Sequence, residues 1–361
     1  MGLNSAYDGP ARLIGGPSAW NSQALEADQG WVIDLSDTER QEIVAAFKLN
    51  RGRVYTEITK EEFPAPLLAE KLSKARRELE KGRGVSLLRG VPIEGLSDDE
   101  VRVMWWGIGT HFAPAVVQNR QGDRMWAVRD DVAGASKVHD LSADRPDGGK
   151  PLSSYAKARS NGPLRFHTDG TDALALLCVR TAANGGGSKL ASSVTVHDEI
   201  LRRRPDLHTL LCQDYHRMYE STNEMVDGRY YALPVFTRVG NYFSSQYSRT
   251  YVEEAQRAGA PKMTAAQDEA LDLLAEIAEE TCMRFRLEKG DMLFFNNHIT
   301  YHGREPFDDD VTTAQDRLLL RLWFAPENSR PLATAYGKVW NSVEPGAYRS
   351  SRQRFEAMQD A

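Results

Sequence analysis

A histidine and an aspartate stand two residues apart in Leu164-Arg165-Phe166-His167-Thr168-Asp169-Gly170. In extended backbone, residues i and i+2 share a face. His167 and Asp169 would then offer one imidazole nitrogen and one carboxylate oxygen to a common point. Two donors hold an ion incompletely, so a third ligand should come from elsewhere in the chain. The candidate is His302, in Asn296-Asn297-His298-Ile299-Thr300-Tyr301-His302-Gly303-Arg304. Two imidazoles and one carboxylate on one side of a metal leave positions open, the arrangement suited to non-haem Fe(II) oxygen chemistry. His298, four residues before His302, competes for the third place or is a core or supporting histidine. A His-x-Asp tripeptide alone also describes a hydrogen-bonded surface pair, so its weight depends on what accompanies it.

The chain that must position these groups has 361 residues, enough for one large domain or two ordinary ones. Its 41% hydrophobic and 27% charged residues fit a globular protein. A net charge of -6 argues against a general nucleic-acid binder, which needs a basic footprint. Cys178, Cys212 and Cys282 are far apart and odd in number. Neither a disulfide framework nor a paired-cysteine metal site fits them, and a reducing cytoplasm is expected. The first 30 residues lack the apolar core of a signal peptide, and no run is long enough to span a bilayer.

Residues 1–110 read as a mainly helical lead-in. Residues 37–49 carry a capped helical pattern and residues 65–81 a longer one, and Ser97-Asp98-Asp99-Glu100 opens a third helix by the capping-box rule. Residues 84–90 form a short β-like run. Residues 115–119 and 125–128 suggest a strand pair about a Gly122 turn, with Gln118 and Asn119 either lining a substrate pocket or merely turning the chain. From 130 to 163 periodicity vanishes, which marks a long loop: a lid over the metal or an insertion without a role. The continuously apolar run 173–179 predicts a strand covered on both faces. Asn184-Gly185-Gly186-Gly187 lacks the Lys-Ser/Thr of a phosphate loop and reads as a turn. It leads into a strand over 188–193 and a helix over 196–203. Residues 214–250 look irregular, and Thr264 opens an amphipathic helix. Residues 283–287 and 292–295 predict two strands about a tight turn. Arg317-Leu318-Leu319-Leu320-Arg321-Leu322-Trp323-Phe324 is a final strand with both arginines on one face. Together these elements predict an α+β chain with a mostly β, barrel-like core over 111–330, helical decoration, and an extension over 331–361.

This order of motifs resembles the taurine dioxygenase-like (TauD/TfdA) family of Fe(II)/2-oxoglutarate oxygenases, in the clavaminate-synthase-like group. The similarity rests on Phe166-His167-Thr168-Asp169, the Gly186-Gly187-Ser188 turn and strand, Gly290-Asp291 to Phe295, Asn297 to Arg304, and Arg317-x-x-x-Arg321-Leu-Trp. It is clearest from about residue 163 to 323, with a weaker echo over 82–119. The resemblance implies a single oxygenase domain with a double-stranded β-helix (jelly-roll, cupin-like) core. It implies His167, Asp169 and His302 as iron ligands, with His302 favoured over His298 by its Gly-Arg tail. It implies Arg317 for the distal carboxylate of 2-oxoglutarate, with Ser192 as the hydroxyl partner. Arg321 would either face an anionic group of the substrate or pair with a nearby acid.

The implied reaction uses Fe(II), 2-oxoglutarate and O2, and couples release of succinate and CO2 to oxidation of a small carboxylate-bearing or zwitterionic metabolite. An intact Asp169 favours hydroxylation over halogenation in such a family. Desaturation, ring closure and epoxidation use the same ligands. Two other readings stay open on the sequence: a metal-dependent hydrolase using the same His/Asp/His set, which leaves Arg317 without a task, and a catalytically silent ligand-binding relative. No nucleic-acid or membrane partner is expected. A homo-oligomer, in the first instance a homodimer, is the default expectation.

Overall fold

The structure is a computed structural model that describes residues 7–119, 122–130, 160–219, 230–313 and 315–350. The lid expected over 130–163 falls mostly on 131–159, outside the described residues. The strands are β1 (Val32–Asp34), β2 (Val85–Arg89), β3 (Met125–Val128), β4 (Leu164–His167), β5 (Ala173–Arg180), β6 (Asn184–Gly185), β7 (Ser188–Ser192), β8 (Asp214–Met218), β9 (Tyr230–Pro234), β10 (Phe236–Val239), β11 (Tyr242–Ser245), β12 (Met283–Phe285), β13 (Met292–Asn296), β14 (Thr300–Arg304), β15 (Phe307–Asp308) and β16 (Leu318–Phe324).

Six of them form a major sheet in the order β1-β2-β13-β5-β16-β3, and four form a minor sheet in the order β12-β7-β14-β4. Alternation along the major strands explains their continuous apolar character. Leu318, Leu320, Leu322 and Phe324 of β16, with Met292 and Phe294 of β13, join one core cluster that includes Leu68, Leu72, Trp105 and Phe112 of the helices Pro66–Lys81 and Asp98–Phe112. Their neighbours Leu319, Trp323, Leu293 and Phe295 join a second cluster with Leu190 of β7, between the sheets. Each central strand therefore buries both faces, and apolar residues at every position are the physical consequence. This is the jelly-roll sandwich expected, with helices outside it.

The differences from expectation are local. Residues 115–119 do not form a strand: Ala115 makes a single bridge to Phe324, and β3 pairs with β16 instead. The turn at 288–291 does not close a hairpin, because β12 pairs with β7 in the minor sheet while β13 lies between β2 and β5. Within 214–250 the described residues form two antiparallel pairs, β8 with β9 and β10 with β11. Hydrophobic alternation reports a strand but not which strand it joins. Two strands from the first 110 residues, β1 and β2, complete one side of the major sheet.

Helix starts follow local chemistry closely. Ser36/Glu39, Ser97/Glu100 and Thr264/Gln267 each form a reciprocal capping box. Near the N terminus a buried polar chain ties residues 7–15 to the helices Ser193–Arg203 and Pro205–Leu211. Tyr7 Oη and His208 Nε2 lie 2.9 and 2.8 Å from His197 Nε2, and Asp198 accepts from the Ile14 and Gly15 amides. Burial, helped by His197, holds the His208 pKa down to about 4. Between that value and the ordinary one near 6.5 the unfolded chain binds a proton that the folded chain refuses, so stability falls on acidification through this window. The unfolding free energy from urea titration should drop between about pH 6.5 and 4 by at most about 3 kcal/mol from this group, and His208→Gln should flatten that slope.

Candidate active site

His167 closes β4, and His302 lies opposite it on the adjacent strand β14. The chain leaves β4 and turns, so Asp169 reaches the same point from beyond the strand end. Ligand atoms of His167, Asp169 and His302 all lie within 4.8 Å of one another. His167 Nε2 is 3.7 Å from one Asp169 oxygen and His302 Nε2 is 3.9 Å from the other, and the two imidazole rings are 4.1 Å apart. His167 Nδ1 sits 2.9 Å from the Arg165 carbonyl, which can only accept. That bond puts the proton on Nδ1 and leaves the Nε2 lone pair facing Asp169.

Electrostatics suit a cation here. Burial acts to raise the Asp169 pKa, but Arg321, His302 and His167 outweigh it and bring it down to about 2. Burial and the neighbouring His167 push His302 well below the usual imidazole range. Two imidazoles and one carboxylate thus converge on one point, and His302 Nδ1 is buried without a hydrogen-bond partner. This donor set fits Fe(II).

The carboxylate is held from behind. Asp169 Oδ2 accepts from Arg321 Nη1 at 2.9 Å and from Trp323 Nε1 at 3.1 Å. Arg321 in turn donates through Nε to Gln118 Oε1 at 2.8 Å, and Gln118 donates back to the Arg321 and Arg124 carbonyls. Arg321 therefore orients a candidate ligand, which is the pairing alternative. Gln118 fixes that arginine. Asn119 exchanges hydrogen bonds with Asp123, stabilising the turn before β3.

Arg317 precedes β16 and is buried, with Nη1 lacking a hydrogen-bond partner. Among the described residues no carboxylate forms an ion pair with it, and burial lowers its pKa to about 10. It lines a small pocket with Cys178, Gly186, Ser188, Leu287 and Leu319. Arg304 lies over the same Phe307 ring, 4.8 Å away against 5.1 Å for Arg317, and its Nε and Nη1 are also buried without partners. Two buried guanidiniums with unmet donors call for a carboxylate, and 2-oxoglutarate fits. Gly186 allows this packing: it has φ +72°, and a Cβ there would meet the Arg317 side chain at 3.2 Å.

The hydroxyl expected at Ser192 has other partners in the structure. Ser192 Oγ is committed to the Ser18 carbonyl and accepts the Thr195 amide as the N-cap of the helix Ser193–Arg203. Ser188, four residues earlier and opposite Arg304 in the β7–β14 register, is the serine beside Arg317. The Gly-rich turn signalled it, because the strand leaving that turn begins in the pocket that Arg317 lines.

His298 does not join the cluster. Its Nε2 is 2.7 Å from Asp172 Oδ1 in the buried interior. A second pocket opens on Asp169, Gly170 and Trp323, walled by Tyr231, Tyr247, Tyr251, Gln246 and Arg217. The sequence reading passed over these residues, since the stretch that carries most of them lacked a legible strand pattern.

A model of the family described as "Taurine catabolism dioxygenase TauD, TfdA family" matches residues 49–323. The chain belongs to that family. FR-33289 synthase of Streptomyces rubellomurinus is 30% identical over 333 residues, 89% of this chain and 93% of that protein. The taurine hydroxylase-like protein SAT17 of Stachybotrys chartarum is 27% identical over 84% of this chain and 77% of its own. Among solved structures, asparagine oxygenase in complex with Fe(II), 3-hydroxyasparagine and succinate superposes with a TM-score of 0.59 at 17% identity, covering 81% of this chain and 93% of that one. OrfP in complex with Fe and alpha-ketoglutaric acid gives 0.55 at 14%, with the same coverage. As a TauD/TfdA member, this protein is a non-haem Fe(II)/2-oxoglutarate-dependent dioxygenase. No helix among its described residues is long and apolar enough to cross a membrane, and its three cysteines are free.

Proposed function

We propose that His167, Asp169 and His302 hold the iron, that Arg317 with Ser188 holds the distal carboxylate of 2-oxoglutarate, and that the protein hydroxylates a small polar metabolite. The observation that carries this reading is the pairing of a converging His/Asp/His donor set with a buried arginine that forms no ion pair among the described residues. A hydrolase would have no use for that arginine, and a silent relative would have no use for either feature. With both bound, the iron and 2-oxoglutarate supply oxidative decarboxylation by O2 to succinate and CO2, coupled to oxygenation of the second substrate.

The protein's residues then have distinct tasks. Arg321 and Trp323 keep Asp169 ionised and fix which oxygen faces inward. Gln118 stops Arg321 from turning away. The Arg165 carbonyl sets the His167 tautomer. Arg317 and Ser188 grip the far end of the co-substrate, so that its oxo-acid end is presented at the ligand cluster. The tyrosine-walled pocket beside Asp169 receives the prime substrate. Arg321 is engaged with Asp169, which removes it as the free cation for a substrate anion. Arg217, with Nε unpartnered, and Gln246, with Oε1 unpartnered, are two buried polar side chains in that wall, beside the tyrosines. A small acid or zwitterion with a complementary donor and acceptor fits them. Relatives and structural neighbours that include a uridine-5'-phosphate dioxygenase and an asparagine oxygenase support a small polar metabolite. A reducing, cytoplasmic setting is part of the same reading.

Purified protein given Fe(II), 2-oxoglutarate and O2 should release succinate in an iron-dependent manner, and small amino, sulfonic and phosphonic acids should be screened for stimulation. Complete absence of iron-dependent succinate, with and without those acids, would refute the reading. Ser188→Ala should weaken 2-oxoglutarate binding by about 0.5–1.5 kcal/mol, roughly 2- to 13-fold. Ser192→Ala should leave that affinity unchanged and lower the melting temperature through loss of the cap.

A further inference from the structure

The family match ends at residue 323, yet the chain continues through an ordered segment, residues 326–350, whose arginines reach under the candidate metal loop. Arg349 is fully buried and forks onto Asp172, with Nε 3.1 Å from both carboxylate oxygens and Nη2 2.9 Å from Oδ1. The same Oδ1 takes His298 Nε2 at 2.7 Å. The His298 amide donates to Asn296 Oδ1, Asn296 Nδ2 donates to Glu80, and Arg330 Nε donates to the other Glu80 oxygen. The Arg330 carbonyl accepts from Arg349 Nη2, which closes the ring.

Asn297 joins that ring to the metal loop. It lies between Asn296 and His298 and is buried. Its Oδ1 accepts the Asp169 amide at 3.1 Å, its Nδ2 donates to the Asp169 and Thr171 carbonyls, and its own amide donates to the Asp172 carbonyl at 3.0 Å. The loop 169–172 is thus clamped at Asp169 by Asn297 and at Asp172 by Arg349. Neither clamp touches the metal-facing oxygens.

We infer that Arg349 is a positioning residue for the Asp169 carboxylate, so that the segment beyond the family match is a working part of the metal site. The inference rests on His167, Asp169 and His302 being the metal ligands. Outer partners of this kind set metal affinity by roughly 10- to 100-fold when removed. Coupling of this sort is also reciprocal: if Arg349 stabilises the metal-bound loop, metal must stabilise the segment that carries Arg349.

The reciprocal arm needs no variant. Hydrogen exchange of the full-length protein, metal-free and loaded anaerobically with Co(II), should slow for amides in residues 340–350, with the distant helix Ala265–Thr281 unchanged. Arg349→Lys keeps the charge but loses the fork. It should weaken Co(II) binding about 10-fold or more, while 2-oxoglutarate affinity at saturating metal stays within about threefold. A purely structural Arg349 would lower the metal-free melting temperature and leave Co(II) affinity and the exchange of residues 340–350 unmoved, and that result overturns the inference. If Arg349→Lys does not fold, the exchange experiment decides alone. Asp169→Ala serves as the separate check: retention of full Co(II) affinity there refutes the ligand assignment, whereas its loss beside an unaffected Arg349→Lys refutes only the positioning role.

Discussion

His302→Ala protein, held anaerobically with 2-oxoglutarate and titrated with Fe(II), will develop no metal-to-ligand absorption band and will form no succinate, whereas His298→Ala protein will keep the band. The two residues are four apart, and both are histidines near a carboxylate. Their surroundings separate them. His302 Nε2 faces Asp169 at 3.9 Å with the His167 ring alongside, and its Nδ1 has no partner. His298 gives its Nε2 to Asp172, which Arg349 also grips, and it lies outside the cluster of His167, Asp169 and His302. Removing one of three ligands should exceed the roughly 10- to 100-fold loss typical of an outer partner, while His298→Ala should stay within that range. His298→Ala will also cost about 1–3 kcal/mol of stability, because Asp172 and the packed Trp340 ring, 5.4 Å from His298, lose their neighbour. The opposite pattern of bands would transfer the ligand role to His298.

Arg317→Ala should raise the dissociation constant for 2-oxoglutarate roughly 30- to 150-fold, about 2–3 kcal/mol, with Fe(II) affinity in the absence of 2-oxoglutarate little changed. The size follows from the site: a buried, charge-assisted pair is lost, and Arg304 is left as the only neighbouring guanidinium over the Phe307 ring among the described residues. Arg304 is close, but two of its donor bonds already go to the Ser160 and Gly162 carbonyls. Lysine at 317 should recover only part of the affinity, since a point charge does not reproduce the planar fork. Calorimetric titration of the Co(II)-loaded protein measures this directly. Unchanged affinity in Arg317→Ala would remove the arginine from the co-substrate site and leave its unmet donors unexplained.

By itself, the sequence determined the kinds of side chain available and the local elements that carry them. His-x-Asp, a distant His-Gly-Arg and an Arg-x-x-x-Arg strand are patterns of type and spacing, and the capping box at Ser97 and the periodic runs after residues 37 and 264 announced helix starts within a residue or two. The apolar run 173–179 announced a strand buried on both faces, which is how β5 sits. Tertiary structure decided everything that depends on who meets whom. Ser188 and Ser192 share a strand face and a chemistry, and only the packing of the Gly186 turn against Arg317, and of Ser192 against Thr195, tells them apart. Arg321 read equally as a substrate anchor or an ion-pair partner until β16 was set beside Asp169. The bond from Arg349 to Asp172 spans 177 residues, and no periodicity, propensity or motif reports a contact at that separation, because such contacts arise from the fold's closure and not from the local chain.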